Sequence, residues 1–428
     1  MVCEGTSCSI ESFEVHYDRL VFAVGAQTNT FGIPGVREHC AFLKQVEDAR
    51  RIRNTIVNCF KRANLPSLSE EERRATLTFA VIGAGPTGIE FASELRDFIE
   101  IDGPKYYPEL LRYVSIKVIE ASPTVLAPFD VSLQEEAIRQ LERPTTVKGG
   151  DKPGATPDLY KLSEILLNRG VSEVTERTIV LSDGEEIPYG MAVWAAGNGP
   201  LPITLRIIDA LNDGAAASRE GEDEIGETSG AANGEQSEAQ SVARGRVAVD
   251  PWLRALGGGG RILALGDCSC VVNGQLPATA QVASQQGEFV AKLLSRGYDV
   301  GPSSSSSASD SADGLGANSS LPPPVPDPSR TRSPSERITA FACNADDDMA
   351  APFQFLDLGI LAYTGGGLAL AQFRITPDDG GKIKESGAVG FGLWRSVYLS
   401  KQVSWRNRFL VAVDWTKARL FGRDITRI

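Results

Sequence analysis

The sequence predicts an α/β fold built on parallel strands, and three observations predict it. An apolar run over residues 77–82 breaks into Gly83-Ala84-Gly85-Pro86-Thr87-Gly88, and a helical pattern follows. A second strand pattern, VSIKVI at 114–119, comes after that helix and gives βαβ order. Much later another apolar run, Ile262-Leu263-Ala264-Leu265, delivers Gly266-Asp267 at its carboxyl end.

Taken in chain order, residues 13–25 alternate and then run apolar, which predicts a pair of strands with the second buried. Val46, Ala49, Ile52, Ile56 and Phe60 fall at helical spacing, so a helix is predicted over Lys44–Ala63. Strand 77–82, the glycine loop and a helix over Thr87–Ile99 come next. Residues 144–160 are rich in Gly and Pro and read as a loop extension. Residues 212–243 hold eight acidic residues against one Arg, among Gly, Ala and Ser. Residues 301–335 are rich in Ser and Pro. Neither segment can bury enough apolar surface to offset its ordering entropy, so both are expected to be disordered inserts. Between them RVAVD, RILALGDCSC and PATAQVASQQGEFVAKLLSRG read as strand, strand and helix.

Composition narrows the chemistry. A chain of 428 residues is long enough for two domains or more. The net charge of −12 argues against a nucleic-acid partner. Only His16 and His39 are present, which disfavours a His-based metal site or a Ser-His-Asp hydrolase. Seven cysteines are an odd, dilute set, more like reduced thiols than a disulfide scaffold. Cys3 and Cys8 form a C-x4-C pair, but no glycine-rich phosphate loop precedes them, and two thiols around a turn is the plainer account. No stretch of about 18 apolar residues exists to span a bilayer.

The glycine loop has a mechanical reason. Gly83 permits the tight turn, Gly85 lets a pyrophosphate approach the backbone, and Gly88 lets helix and strand pack closely. The helix N-terminus then faces the phosphates. Glu120 ends the next strand, where a carboxylate accepts from both ribose hydroxyls and repels a 2′-phosphate. It lies 32 residues after Gly88, longer than the usual ~20, because DGPKYYPELLR lengthens the connection. Glu90, in the first helical turn, either caps free amides or faces the nicotinamide end.

Gly266 allows close approach of a cofactor, and Asp267 suits the hydroxyls of a ribityl chain. In the following helix Gln281 and Gln285 share a face, beside the small Ala278 and Ala280. Their amides can bond a carbonyl such as a quinone oxygen, or form a plain polar helix face. Residues 388–428 carry eight Lys/Arg against two Asp and hold Trp394, Trp405 and Trp415. Basic, Trp-rich amphipathic helices on an acidic protein suggest a membrane surface, with a dimer interface as the rival.

YDRLVFAVGAQTNTFGIPGV, VIGAGPTGIEFASEL, VWAAGNGP, ALGDCS, ATAQVASQQG, DLGILAYTGGG and the basic tail occur in this order. Together they resemble type II NADH dehydrogenases, the alternative NADH:ubiquinone oxidoreductases of mitochondria and bacteria. That resemblance implies two Rossmann-like dinucleotide-binding domains, non-covalent FAD, a C-terminal helical module on the membrane surface, and a homodimer. It assigns NADH to Gly83, Gly85, Gly88, Glu90, Glu120 and Gly197, the last within the strand-end motif Trp194–Gly197. It assigns FAD to Gly266, Asp267 and Ala280, and a membrane quinone (ubiquinone) to Gln281, Gln285 and Tyr363. It implies a peripheral protein of the mitochondrial inner membrane that pumps no protons.

The family also has an initial strand–GxGxxG–helix unit for the ADP half of FAD. Such a unit needs about 30 residues, and 12 precede Phe13, so the FAD domain is expected to be truncated at its N-terminus. The boundaries expected are 1–70 and 246–300 for the FAD domain, 71–200 for the NADH domain, 201–245 and 301–340 for the inserts, and 341–428 for the membrane module. Two other functions fit parts of the pattern: a soluble FAD-dependent reductase of a disulfide or ferredoxin, and an inactive NADH-binding remnant.

Overall fold

The computed structural model describes residues 2–4, 7–9, 13–147, 158–220, 245–272, 274–295, 351–374, 382–402 and 404–423. The chain forms two compact units, each assembled from distant segments. One comprises 28–198 and 357–428, the other 1–27 and 199–356.

The unit of 28–198 and 357–428 is organised by a five-stranded parallel sheet. Its elements are β1 (Cys40–Phe42), α1 (Val46–Ala63), β2 (Thr78–Ile82), α2 (Pro86–Ile101), β3 (Ser115–Ile119), α3 (Val131–Leu141), β4 (Ser163–Leu166) and β5 (Met191–Trp194). The spatial order is β4-β3-β2-β5-β1, with every pairing parallel. All five residues of β2 are buried, as a central strand covered on both faces requires. Helix α1 starts at a capping box between Gln45 and Asp48 and buries Ile52, Ile56, Val57, Cys59, Phe60 and Ala63 along one stripe. Phe60 packs on Phe79 of β2 and stacks on Tyr107. Each such buried aromatic contributes roughly 1.5–3 kcal/mol.

After residue 357 the chain adds β6 (Ile360–Gly365), β7 (Leu368–Arg374) and β8 (Lys382–Gly387), an antiparallel meander. Helices α4 (Ala388–Ser400) and α5 (Trp405–Phe421) close the described chain. Strand β6 packs on α2, and α4 packs on β6 and β7. The C-terminal segment therefore belongs to the same unit as the glycine loop.

The other unit pairs Leu20–Phe22 with Ile262–Ala264, and Val247–Val249 with Ser269–Val271, both in parallel. The helix Ala280–Ser295 buries Val282, Gln286, Val290 and Leu293. Its core gathers Phe22, Leu211, Val247, Val249, Leu253 and Leu263.

The βαβ elements stand where the pattern predicts them, to within a residue or two. Three expectations differ. Residues 13–25 hold one three-residue strand, Leu20–Phe22, rather than a pair; only Phe22 in it is buried, and 13–19 stay exposed with no regular structure. The acidic segment begins as helix, because Pro202–Glu220 is one continuous helix; 221–244 lie outside the described residues. The 144–160 extension holds a short antiparallel pair, Thr145–Val147 with Asp158–Tyr160, while 148–157 lie outside the described residues. The Ser/Pro segment, 301–335, also lies outside them.

Candidate functional site

Strand register builds the site. Ile82 of β2 stands opposite Ile119 of β3 on one side and Trp194 of β5 on the other. The three strands therefore end flush, and the residues that follow them meet at one sheet edge. Gly83 donates its N–H to Ile119 O at 2.8 Å, and Ala195 donates to Ile82 O at 2.8 Å. From β2 the chain moves outward to β3 on one side, while β5 and β1 lie on the other. This is the switch point where open α/β sheets bind ligands.

Two glycines are required there. Gly83 has φ +104°, and a Cβ on it would stand 3.0 Å from Ala196 N. A Cβ on Gly88 would stand 1.9 Å from Gly83 O, so any side chain would push helix α2 off the loop. Gly85 caps α2 without a side-chain bond, and nothing within 4 Å would meet a Cβ on it. The open space lies where a phosphate would approach the backbone. Pro86 occupies the first turn, where its missing N–H costs nothing, and no acidic residue stands in that turn: Glu90, expected in it, falls just beyond.

Glu120 is fastened to the same edge. Its Oε2 accepts from Ala84 N at 2.7 Å, and its Oε1 accepts from Ser122 N at 2.8 Å. Both oxygens are thus fixed by backbone donors, and the negative charge is held beside the loop. Gly197 follows β5, and its carbonyl accepts from Asn29 N at 3.2 Å. Trp194 anchors that turn by donating Nε1–H to Ala196 O at 2.8 Å and Asn29 O at 3.0 Å. The structure therefore brings together Gly83, Gly85, Gly88, Glu120 and the turn at Gly197.

Glu90 belongs to the same unit but is engaged from the C-terminal segment. Its Oε1 accepts from Tyr363 N at 3.1 Å and from Trp394 Nε1 at 3.2 Å. Burial raises its carboxyl above the usual range, and these two donors pull the other way. Tyr363 is buried and donates its hydroxyl to Asp97 Oδ2. Burial, followed by that carboxylate, pushes the phenol upward. Its ring stacks with Trp394 at 5.3 Å and lies 5.5 Å from Phe391.

Beneath these residues lies a polar cluster that sequence patterns do not announce. Arg96 is fully buried. It donates to Leu141 O and Ser163 Oγ at 2.6 Å, and to Arg143 O and Thr145 Oγ1 at 2.5 Å. It pairs with Glu100 at 2.8 Å. Arg143 bridges to Glu100 at 2.7 Å, and Gly366 N donates to Asp97 Oδ1 at 2.8 Å. The cluster ties α2, α3, β4 and the β6–β7 turn together.

The remaining expected site residues belong to the other unit. Gly266 follows Ile262–Ala264 with φ +73° and donates its N–H to Gln286 Oε1 at 2.7 Å. Asp267 is half-buried beside it, and Ala280 is exposed at the start of its helix. Gln281 is half-buried. Gln285 bonds the backbone of Leu356 at both ends, its Nε2 to Leu356 O and its Oε1 to Leu356 N, each at 2.9 Å. Gln286 escaped the sequence reading although it neighbours Gln285; only its place on the buried stripe of the helix signals it.

A glycine loop at the switch point of a parallel sheet, with a fixed strand-end carboxylate, is the site of a pyridine-nucleotide-binding oxidoreductase. Residues 2–153 match the family model for pyridine nucleotide-disulphide oxidoreductases, and 358–424 match the NDH2 C-terminal domain. The internal alternative NAD(P)H-ubiquinone oxidoreductase A1, mitochondrial, of Solanum tuberosum is 32% identical over 436 residues, covering 100% of this chain and 70% of that protein. The external alternative NAD(P)H-ubiquinone oxidoreductase B3, mitochondrial, of Arabidopsis thaliana is 34% identical over 477 residues, covering 98% of this chain and 73% of that protein. The fold resembles the solved structure of NDH2 from Plasmodium falciparum in complex with NADH, with TM-score 0.69 and 19% identity over 96% of this chain and 80% of that one. The chain belongs to the family of alternative NAD(P)H-ubiquinone oxidoreductases, the type II NADH dehydrogenases.

Proposed function

We propose that the protein is a flavoenzyme that oxidises NADH and passes the electrons to a membrane quinone. The observation that carries this reading is the flush sheet edge, where the Gly83–Gly88 loop meets a doubly fastened Glu120. The names of the relatives supply the second substrate, ubiquinone.

The chain's own residues act by position and charge. Backbone groups at Gly83, Gly85 and Gly88 receive the pyrophosphate at the α2 N-terminus. The Glu120 carboxylate takes the ribose hydroxyls and disfavours a 2′-phosphate, so NADH is preferred over NADPH. Gly197 keeps the strand-end turn low beside the nicotinamide half, and Glu90 faces that half from α2. The backbone at Gly266, the carboxylate of Asp267 and the small Ala280 suit the ribityl-bearing side of FAD. FAD, when bound, supplies the hydride acceptor and carries two electrons onward. Gln281, Gln285 and Tyr363 are assigned to the quinone. The expected boundaries give 71–200 to NADH, 1–70 and 246–300 to the flavin and 341–428 to the membrane, with 28–70 and 357–428 folded into the same unit as the Gly83–Gly88 loop.

No helix among the described residues is long and apolar enough to cross a membrane. The contact is instead assigned to α4 and α5, which expose Val389, Trp405, Phe409, Leu410, Leu420 and Phe421. On this reading the protein sits peripherally on the mitochondrial inner membrane, as a homodimer that moves no protons.

Purified protein is assayed for flavin absorbance, NADH binding and NADH:quinone turnover. Bound flavin with quinone-dependent NADH oxidation, and slower NADPH oxidation, is the expected result. Flavin-free protein that oxidises no NADH even with added FAD contradicts the assignment.

A further inference from the structure

Two donors from outside α2 converge on one carboxylate oxygen, two residues past the last glycine of the loop. Glu90 Oε1 accepts from the backbone of Tyr363 in β6 and from the indole of Trp394 in α4, residues 273 and 304 positions away. Among the described residues no protein group donates to Oε2. A glutamate with one anchored oxygen has lost most of its rotamer freedom, so its other oxygen points in one direction. The anchor is itself held. The Trp394 ring stacks on Tyr363 at 5.3 Å, runs parallel to Phe391 at 6.0 Å, and packs on Tyr398 at 4.6 Å.

We propose that Trp394 is a positioning residue of the nucleotide site: together with Tyr363 N–H it clamps Glu90 Oε1 and presents Oε2 to the carboxamide of the nicotinamide. The inference rests on the assignment of NADH to the Gly83–Gly88 loop. It makes a residue of the C-terminal helices part of substrate recognition in the nucleotide domain. The carboxamide N–H is the group recognised, because Oε2 is an acceptor and the rest of the dihydronicotinamide ring offers no donor.

The test replaces the Trp394 indole with benzothiophene, which keeps the stacked shape and lacks the N–H. Trp394→Phe is the second variant. Each is titrated with NADH and with reduced 3-acetylpyridine adenine dinucleotide, whose ketone has no N–H to donate. In the unsubstituted protein NADH binds more tightly than the analogue. In the benzothiophene protein the NADH affinity falls about tenfold, the scale of one hydrogen bond to a charged group. The analogue's affinity stays within about twofold, so the preference collapses, as a double-mutant cycle requires for coupled groups. An equal loss for both ligands, or unchanged NADH affinity, overturns the proposal. Failure of the unsubstituted protein to bind NADH at all overturns instead the nucleotide assignment beneath it.

Discussion

The sheet edge and the C-terminal helix α5 are opposite solutions to the use of surface. At the edge the backbone does the work: Gly83 and Ala195 donate to the strand ends at Ile119 and Ile82, while Ala84 and Ser122 donate to the two oxygens of Glu120. Strands β2 and β5 behind it are buried throughout. In α5 no residue is buried, and Trp405, Phe409, Leu420 and Phe421 stand 69–80% exposed. Apolar patches of that kind on a soluble surface mark an interaction face. The first region fixes its polar groups in backbone hydrogen bonds; the second leaves its apolar side chains uncovered, which is why it is the face proposed to meet a membrane.

Substitutions separate the two. Arg96→Met removes a buried guanidinium and leaves Glu100 and four polar acceptors without it. Breaking such a pair costs about 3–5 kcal/mol, and denaturant unfolding reads it as a large fall in the midpoint. The triple change Trp405→Gln, Phe409→Gln, Leu420→Gln touches no buried contact, so stability stays within about 1 kcal/mol. Flotation with vesicles of phosphatidylcholine and phosphatidylglycerol falls by about a hundredfold or more, since each lost side chain is worth roughly 1.5–3 kcal/mol when buried. Undiminished flotation would dissolve the contrast. Glu120→Gln removes the fixed charge: NADH affinity drops about tenfold, roughly 1.4 kcal/mol, and NADPH gains relative to it. Steady-state KM values for the two nucleotides check this.

The smallest effect is on pH. Burial raises the Glu90 carboxyl above its ordinary 4.5, so the folded protein holds that proton more tightly than the unfolded chain. Its contribution to stability is therefore full at low pH and is lost as pH rises from about 4.5 through the raised value. Glu90→Gln flattens that part of the stability curve measured by thermal unfolding.

Sequence patterns located β2, α2 and β3 because each obeys a strong pattern: a buried run over Phe79–Ile82 for β2, alternation around Ile116 and Val118 for β3, and a stripe of Ile89, Ala92, Leu95 and Ile99 for the helix. The loop glycines and Glu120 were legible because the chemistry needs them at strand ends. The bonds from Tyr363 and Trp394 to Glu90 were not, because no local signal joins residues some 300 positions apart. Trp394 reads as part of an amphipathic stripe, and its N–H donor is invisible to periodicity. The Arg96 cluster was hidden for a related reason: a buried Arg on α2 looks like a surface charge until α3 and β4 arrive over it. Residues 13–19 misled because alternation predicts a strand only where a neighbour completes the ladder.

The most direct test of the central claim is a pair of titrations, NADH against the unsubstituted protein and against Gly88→Val. A Cβ at Gly88 collides with Gly83 O, and valine adds two methyls to it. The sheet-edge assignment predicts saturable NADH binding to the first protein and a loss of at least about a hundredfold, ~2.7 kcal/mol, in the second, with circular dichroism unchanged. NADH binding of equal strength to the folded Gly88→Val protein would contradict it.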